Sequence, residues 1–356
     1  MMKRSRLHRS LQIALALTGA AGVLAACGSS SASPSKTSAS KTPVVPLVVY
    51  GAEGYAPAVA KGFQQATGIP TEMVNHSTGT LLAKISAEAQ NPQWGVLWTD
   101  GSDAYAALDQ QHYLLRGFEP NTGSLTSLGK SLVPADQSYI PTGLTTAAAF
   151  VYNSKVVKSP PTSWSSLLTS QWKGAIGMNN PAISGPTYTA VASVMSQQGG
   201  VAKGEAYFKK LAANGLHVYP TNKVTLNALL TGAIKVALVQ NSAGIGFAMS
   251  SPSLKLAYPD KSALLPGVIG IDGKASKTEI AEAKKFADFV YSPKGQALML
   301  SGDPQGDSLF YPIVKGTKPH SQVPNLKAIP TDYPNPIVWG SREASINAWF
   351  TSNIVQ

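Results

Sequence analysis

The chain has 356 residues, 44% of them hydrophobic and 13% charged, with a formal net charge of +11. That length exceeds what one core usually serves, so two lobes are expected, and the apolar-to-charged balance excludes both a disordered chain and a bundle of membrane spans. Lysines and arginines are scattered with no basic run of five or more, so no nucleic-acid partner is expected and the positive charge fits an anionic ligand.

Lys3, Arg4, Arg6 and Arg9 form a positive head, Leu11 to Ala26 a short apolar run, and Leu24-Ala25-Ala26-Cys27 closes it. This is the pattern of a bacterial secretory signal over residues 1–26. The closing residues resemble a lipobox, so cleavage before Cys27 and lipidation of its thiol are expected, with the membrane touched through that anchor alone. Removing the signal removes four basic side chains and takes the charge from +11 to +7. Cys27 is the only cysteine, so no disulfide can form within the chain and the fold must stand on its core. Residues 27–45, rich in Ser, Ala, Thr and Lys, read as a flexible linker.

Leu47 to Tyr50 is a β-prone apolar run and reads as the first buried strand, followed by the loop Gly51-Ala52-Glu53-Gly54-Tyr55 and a helix over 57–67. A second strand is expected at 71–74, then the polar loop 76–80 and a helix to 90 with Leu81, Leu82, Ile85 and Ala89 on one side. Gly95 to Trp98, the loop 99–103 and a helix over 104–108 repeat the pattern a third time. Strand, polar loop and helix in succession predict a mainly parallel sheet flanked by helices, with ligands just beyond the strand ends.

The character changes near 141–153, where a first crossing between lobes is expected, and a crossing back is expected around 255–271. Between them lie strands at 175–178, 217–219 and 236–239, and helices at 205–214 and 222–231; a further helix is expected at 277–291. Residues 179–191 stand out. Ser184 can cap, Gly185 admits a tight turn, and Pro186 suits the first position of a helix running through Tyr188. Such a start presents free backbone N–H groups beside the hydroxyls of Ser184 and Thr187, the makings of an anion site.

Val151-Tyr152-Asn153-Ser154-Lys155, Pro160-Pro161-Thr162-Ser163-Trp164, Trp172-Lys173-Gly174 and Asn180-Pro181-Ala182-Ile183-Ser184-Gly185, with Ser77-Thr78-Gly79, Trp98 and Asp103-Ala104-Tyr105 before them, stand in a telling order. Together with Tyr207 to Leu211 and Ala287-Asp288-Phe289-Val290, this set resembles the extracellular solute-binding proteins of ABC importers, in the branch that holds binders of ferric iron, aminoethylphosphonate, sugar phosphates and thiamine. The resemblance spans roughly residues 46 to 315. It implies an α/β, two-lobed type II clamshell with a two-strand hinge, lobe 1 being 46–146 with 266–356 and lobe 2 being 147–265. It also implies a monomer without cofactor that hands its ligand to a membrane permease with its ATPase.

Ferric-binding members of that branch use neighbouring tyrosines after the strand that is 236–239 here, but this chain continues Gln240-Asn241-Ser242, so a metal site is not expected. Within the resemblance, the helix starts at Ser77, Thr78, Gly79 and Thr80 and at Ser184, Gly185 and Thr187 face one another across an anion. Glu53 and Asp100 or Asp103 would meet an amino group, Tyr55 or Tyr188 would cover the ligand, Asn222 or Asn241 would add polar contacts, and Tyr311 matches a family tyrosine. The expected ligand is an organophosphonate or organophosphate, with ferric iron as the alternative. An enzyme is not expected: no Gly-x-Ser-x-Gly, His-Glu-x-x-His or phosphate loop occurs, and His76, His112, His217 and His320 are dispersed.

Overall fold

The structure is a computed structural model that describes residues 45–118 and 122–355, all within one compact unit. The secretory signal, Cys27 and nearly all of the linker lie outside the described residues. In chain order, β1 (Leu47–Gly51), α1 (Ala56–Thr67), β2 (Thr71–Asn75), α2 (Thr78–Ala87), β3 (Val96–Asp100), α3 (Ser102–Gln110) and α4 (Ser127–Ser131) precede β4 (Tyr139–Thr146). Then follow β5 (Ala149–Asn153), β6 (Ile176–Asn179), α5 (Gly185–Gln197), α6 (Val201–Ala213), β7 (His217–Tyr219), α7 (Asn222–Leu230), β8 (Val236–Val239), α8 (Asn241–Ser250) and β9 (Leu254–Ala257). The chain closes with β10 (Ser262–Ile271), α9 (Lys277–Tyr291), α10 (Pro293–Gly302), β11 (Thr331–Asp332), α11 (Pro336–Gly340) and α12 (Glu343–Asn353).

Two sheets result. In the first, β2, β1 and β3 run parallel, and β10 joins β3 antiparallel with β4 antiparallel beyond it, while β11 lies along the start of β10. In the second, β7, β6 and β8 run parallel, and β5 and β9 complete it antiparallel. In each sheet the three strands joined by helical crossovers run parallel. The antiparallel strands are the ones that carry the chain from one sheet to the other, so the sheets are mixed where mainly parallel ones were expected.

Those crossings are short and tied together. Only Ala147 and Ala148 separate β4 from β5; Ala147 N donates to Ala263 O at 2.9 Å, and Ser262 Oγ donates to Ala148 O at 2.7 Å. Strand β10 pairs within the first sheet, while the end of the chain packs elsewhere. Trp339, Ile346, Phe350 and Ile354 pack with Phe150, Trp172 and Phe208 in a core against the second sheet.

Strand β1 and the first three residues of β3 are almost wholly apolar because both faces are covered. Leu47, Val49, Val96 and Trp98 pack with Phe63, Phe286 and Phe310 on one side, and Tyr50 and Leu97 with Leu81, Trp94 and Tyr105 on the other. Each such side chain contributes about 1.5 to 3 kcal/mol by leaving water. Helix α8 escapes sequence patterning because its glycines are there for close approach rather than for turning: a Cβ on Gly246 would lie 1.8 Å from the Gln305 carbonyl oxygen.

Candidate ligand cleft

Six strand carboxyl ends converge on one cavity of about 270 Å³. Ala52 follows β1, Ser77 follows β2 and Asp100 ends β3; Asn179 ends β6, Thr221 follows β7 and Gln240 follows β8, and all line the cavity. Parallel βα units put every strand-to-helix turn on the same side of a sheet, so two such sheets facing one another enclose a polar cleft walled by helix starts.

Four helices, α2, α5, α7 and α8, begin at this cleft. Three use one device: Ser77 Oγ accepts from Thr80 N at 3.4 Å, Ser184 Oγ from Thr187 N at 3.4 Å, and Thr221 Oγ1 from Val224 N at 3.3 Å. Each cap uses one first-turn amide and leaves others directed outward with the positive end of the helix dipole. Lys223 adds a cation on the second-sheet wall.

Helix starts α2 and α5 touch. Gly79 N donates to Ile183 O at 3.1 Å, and a Cβ on Gly79 would lie 2.1 Å from the Ala182 carbonyl oxygen. The Gly79 amide is therefore spent on closing the two walls rather than offered to a ligand. Thr78 is buried in this contact, whereas Thr80 is exposed with its Oγ1 2.8 Å from Ser77 Oγ.

The first-sheet wall carries the opposite charge. Carboxylate oxygens of Glu53, Asp100 and Asp307 all lie within 4.8 Å of one another. Asp307 is held by Gly54 N at 2.7 Å and Gln240 Nε2 at 2.9 Å. Burial raises the carboxyl of Glu53 well above its usual range, and Asp100 and Asp307 raise it further; burial and then Asp307 do the same to Asp100. Burial pushes Asp307 up to about 6, against the hydrogen bonds from Gly54 and Gln240. Glu53 is 2% exposed, and its Oε1 has no hydrogen-bond partner among the described residues. Tyr55 packs on Trp98 and Phe310 with ring centroids 5.3 and 5.9 Å away, its hydroxyl bonded to Glu53.

Of the residues singled out in the sequence, the fold brings Ser77, Thr78, Asp100, Ser184, Gly185 and Asn222 to the cleft, with Glu53 behind Asp100 and Tyr55 behind Glu53. Asn222 accepts from Asn179 Nδ2 at 2.6 Å, which orients its amide. Five others face elsewhere. Thr187 is buried, its Oγ1 donating to Ser184 Oγ at 3.0 Å. Tyr188, 1% exposed, donates to the Trp339 carbonyl inside the second core and does not cover the cleft. Asn241 accepts from Thr146 N at 3.0 Å and donates to the Tyr311 hydroxyl at 3.3 Å, so both residues brace the crossing strand. Asp103 accepts from Thr189 Oγ1 at 2.9 Å, a link between α3 and α5 outside the cleft lining.

Gln240, Asp307, Thr221, Lys223 and Asn179 line the cleft without having been expected there. Gln240 differs from the expected Asn241 by one residue: at the turn from β8 into α8, consecutive side chains point to opposite sides, and the outward one is Gln240. Asp307 sits in the turn Gly302-Asp303-Pro304-Gln305-Gly306-Asp307, whose density of Gly and Asp was the available signal.

Two mixed α/β sheets joined by paired crossings, with a polar cleft at their strand ends, define a two-lobed solute-binding protein of the type II periplasmic fold. The chain belongs to the bacterial extracellular solute-binding protein family, whose profile matches residues 58–331. It is 29% identical over 243 residues to a Salmonella typhimurium protein named "Putative 2-aminoethylphosphonate-binding periplasmic protein", covering 66% of this chain and 68% of that one. The periplasmic binding protein P5PA superposes with a TM-score of 0.76 at 22% identity, over 87% of this chain and 99% of its own. AfuA from Actinobacillus pleuropneumoniae, with fructose-6-phosphate bound, gives 0.75 at 21% identity over 87% and 98%. Iron-bound HitA from Pseudomonas aeruginosa gives 0.73 at 23% identity over 85% and 98%. The protein is thus an extracytoplasmic solute-binding component of the ABC importer class. Among the described residues no helix is long and apolar enough to cross a membrane.

Proposed function

We propose that the cleft captures a zwitterionic organophosphonate of the 2-aminoethylphosphonate type and that the protein releases it intact to a permease. One observation carries this reading: a carboxylate cluster and the starts of several helices meet at the same small cavity. The phosphonate lies against the starts of α2, α5 and α7 beside Lys223, where amide donors and dipoles favour an anion. The ammonium lies against Glu53, Asp100 and Asp307, whose mutual crowding is relieved by a cation. The name of the Salmonella relative supports the same chemistry.

Ferric iron is the competing ligand. The three carboxylates are hard donors suited to it, yet among the described residues no tyrosine lines the cleft, and the Tyr311 hydroxyl is engaged with Asn241. Calorimetric titration with 2-aminoethylphosphonate, ethylphosphonate, phosphate, fructose-6-phosphate and ferric citrate decides between them. 2-Aminoethylphosphonate should bind tightest, with ethylphosphonate about 10- to 100-fold weaker, the equivalent of one charge-assisted hydrogen bond of about 1.5 to 3 kcal/mol. Ferric binding with a visible charge-transfer band and no response to phosphonates overturns the proposal. The mature chain acts as a monomer held to the membrane through lipid on Cys27; Cys27→Ser should release it from the membrane fraction, and retention there would point to another anchor.

A further inference from the structure

A second cavity, of about 620 Å³, lies on the other side of the contact between α2 and α5. Thr78 and Gly185 line both spaces, so their contact is the partition between cleft and cavity. The volume falls in the range of small-molecule sites. Leu82 and Ala83 of α2, Ala107 of α3, Ala182 before α5 and Ala344 of α12 give it an aliphatic body.

Its lining carries the hydroxyls of Thr78, Ser86, Tyr113 and Ser341 and several side-chain oxygen acceptors. Gln110 and Gln111 donate their amide nitrogens to the Ile337 and Ala107 carbonyls, at 3.3 and 3.1 Å. Asn347 Oδ1 has no hydrogen-bond partner among the described residues. Glu343, partly buried, makes no ion pair among them, and the neighbouring Arg342 guanidinium is stacked over the Trp339 ring 5.4 Å away. Among the described residues no lysine, arginine or histidine lines the cavity. A carboxyl beside an orphaned amide oxygen, at the end of an aliphatic pocket, calls for a cationic donor with an apolar tail.

We infer that this cavity is a second ligand site, taking a small primary alkylammonium ion with its nitrogen at Glu343 and Asn347 and its chain along Leu82, Ala107 and Ala344. The state of Glu343 fits: burial, then Asp103, push its carboxyl up to about 8, a cost that a bound ammonium offsets. The walls also come from both sides of the cleft, α2 and α3 flanking the first sheet and Ala182 following a strand of the second. An occupant therefore favours the arrangement in which the walls meet, and by linkage it tightens whatever the cleft holds.

The test uses n-butylammonium and n-butanol as probes of the full mature protein, followed by ligand-observed NMR and calorimetry. Saturable n-butylammonium binding is expected, with n-butanol about tenfold weaker or more. Glu343→Gln should weaken n-butylammonium by a similar factor, and Ala344→Phe, which fills the cavity from an exposed position, should abolish binding of both probes. Thermal melting verifies that each variant is folded, and Ala107→Leu serves if Ala344→Phe is not. Asp307→Asn, on the far side of the partition, should leave n-butylammonium bound. Absence of saturable binding to the unmodified protein overturns the inference. So does binding lost in Asp307→Asn and kept in Glu343→Gln, because the amine would then occupy the cleft.

Discussion

The two walls of the cleft are built from the same unit, a strand followed by a capped helix, and yet they carry opposite charge. On the second-sheet wall the turns end in Asn179, Ser184, Thr221 and Gln240, neutral residues that cap or extend helix starts, with Lys223 beside them. On the first-sheet wall the turns after β1 and β3 supply Glu53 and Asp100, and Asp307 joins from a distant turn. The fold fixes where a ligand sits, because parallel βα units place all their turns on one side. Residue choice within those turns decides its charge pattern.

Prising the walls apart should have the largest effect. Gly79→Ala places a methyl group against the Ala182 carbonyl, and at the upper end of the 1 to 3 kcal/mol typical of overpacking it should cost about 100-fold in affinity for 2-aminoethylphosphonate. Unchanged affinity would mean that the α2–α5 contact is not part of the bound state.

Removing charge from one wall comes next. Asp307→Asn should weaken 2-aminoethylphosphonate by about 10- to 100-fold and leave ethylphosphonate within a few-fold. Equal losses for both ligands would move the ammonium elsewhere.

The acid load also sets a pH dependence of opposite sign for stability and binding. Asp307 titrates near 6 and Asp103 near 7, both raised from 3.8 mainly by burial, and Glu343 near 8. Between about pH 4 and 8 the folded protein thus binds more protons than the unfolded chain, and its stability falls as pH rises. The free protein should melt a few degrees higher at pH 5 than at pH 8, and Asp103→Asn should flatten that slope. Affinity for 2-aminoethylphosphonate relative to ethylphosphonate should instead rise from pH 5 to pH 7 as Asp307 ionises. Parallel trends would break the assignment of the ammonium to the carboxylates.

The smallest change is expected from the exposed cation. Lys223→Gln should weaken both phosphonates by less than about 1 kcal/mol, and the difference should shrink at high salt. A loss as large as that of Asp307→Asn would show the lysine to be buried by the bound ligand.

Much of the fold was legible in order along the chain. Apolar runs at 47–50, 217–219 and 236–239 and the amphipathic segment 277–291 became the strands and helix expected there. What periodicity concealed was structure held by contact rather than pattern, as in α8 with Gly244 and Gly246, or the terminal helix α12, whose Ile346 and Phe350 belong to the second core. At the cleft, Ser77 and Ser184 were legible because a cap is a local event, set by a hydroxyl and an amide three residues on. Tyr188 and Asn241 were misplaced because the direction of a side chain at a helix start depends on which face the core claims.

The sequence by itself determined the alternation of strands and helices and the helix starts at Ser77 and Ser184. Each of these depends on residues within a turn or two of one another. Only the tertiary structure decided that Glu53, Asp100 and Asp307 form one cluster, that Gln240 rather than Asn241 lines the cleft, and that Gly79 seals α2 against α5. Those relations join residues far apart in the chain, and electrostatic crowding, burial and close packing come into being only when the sheets and their turns are brought together.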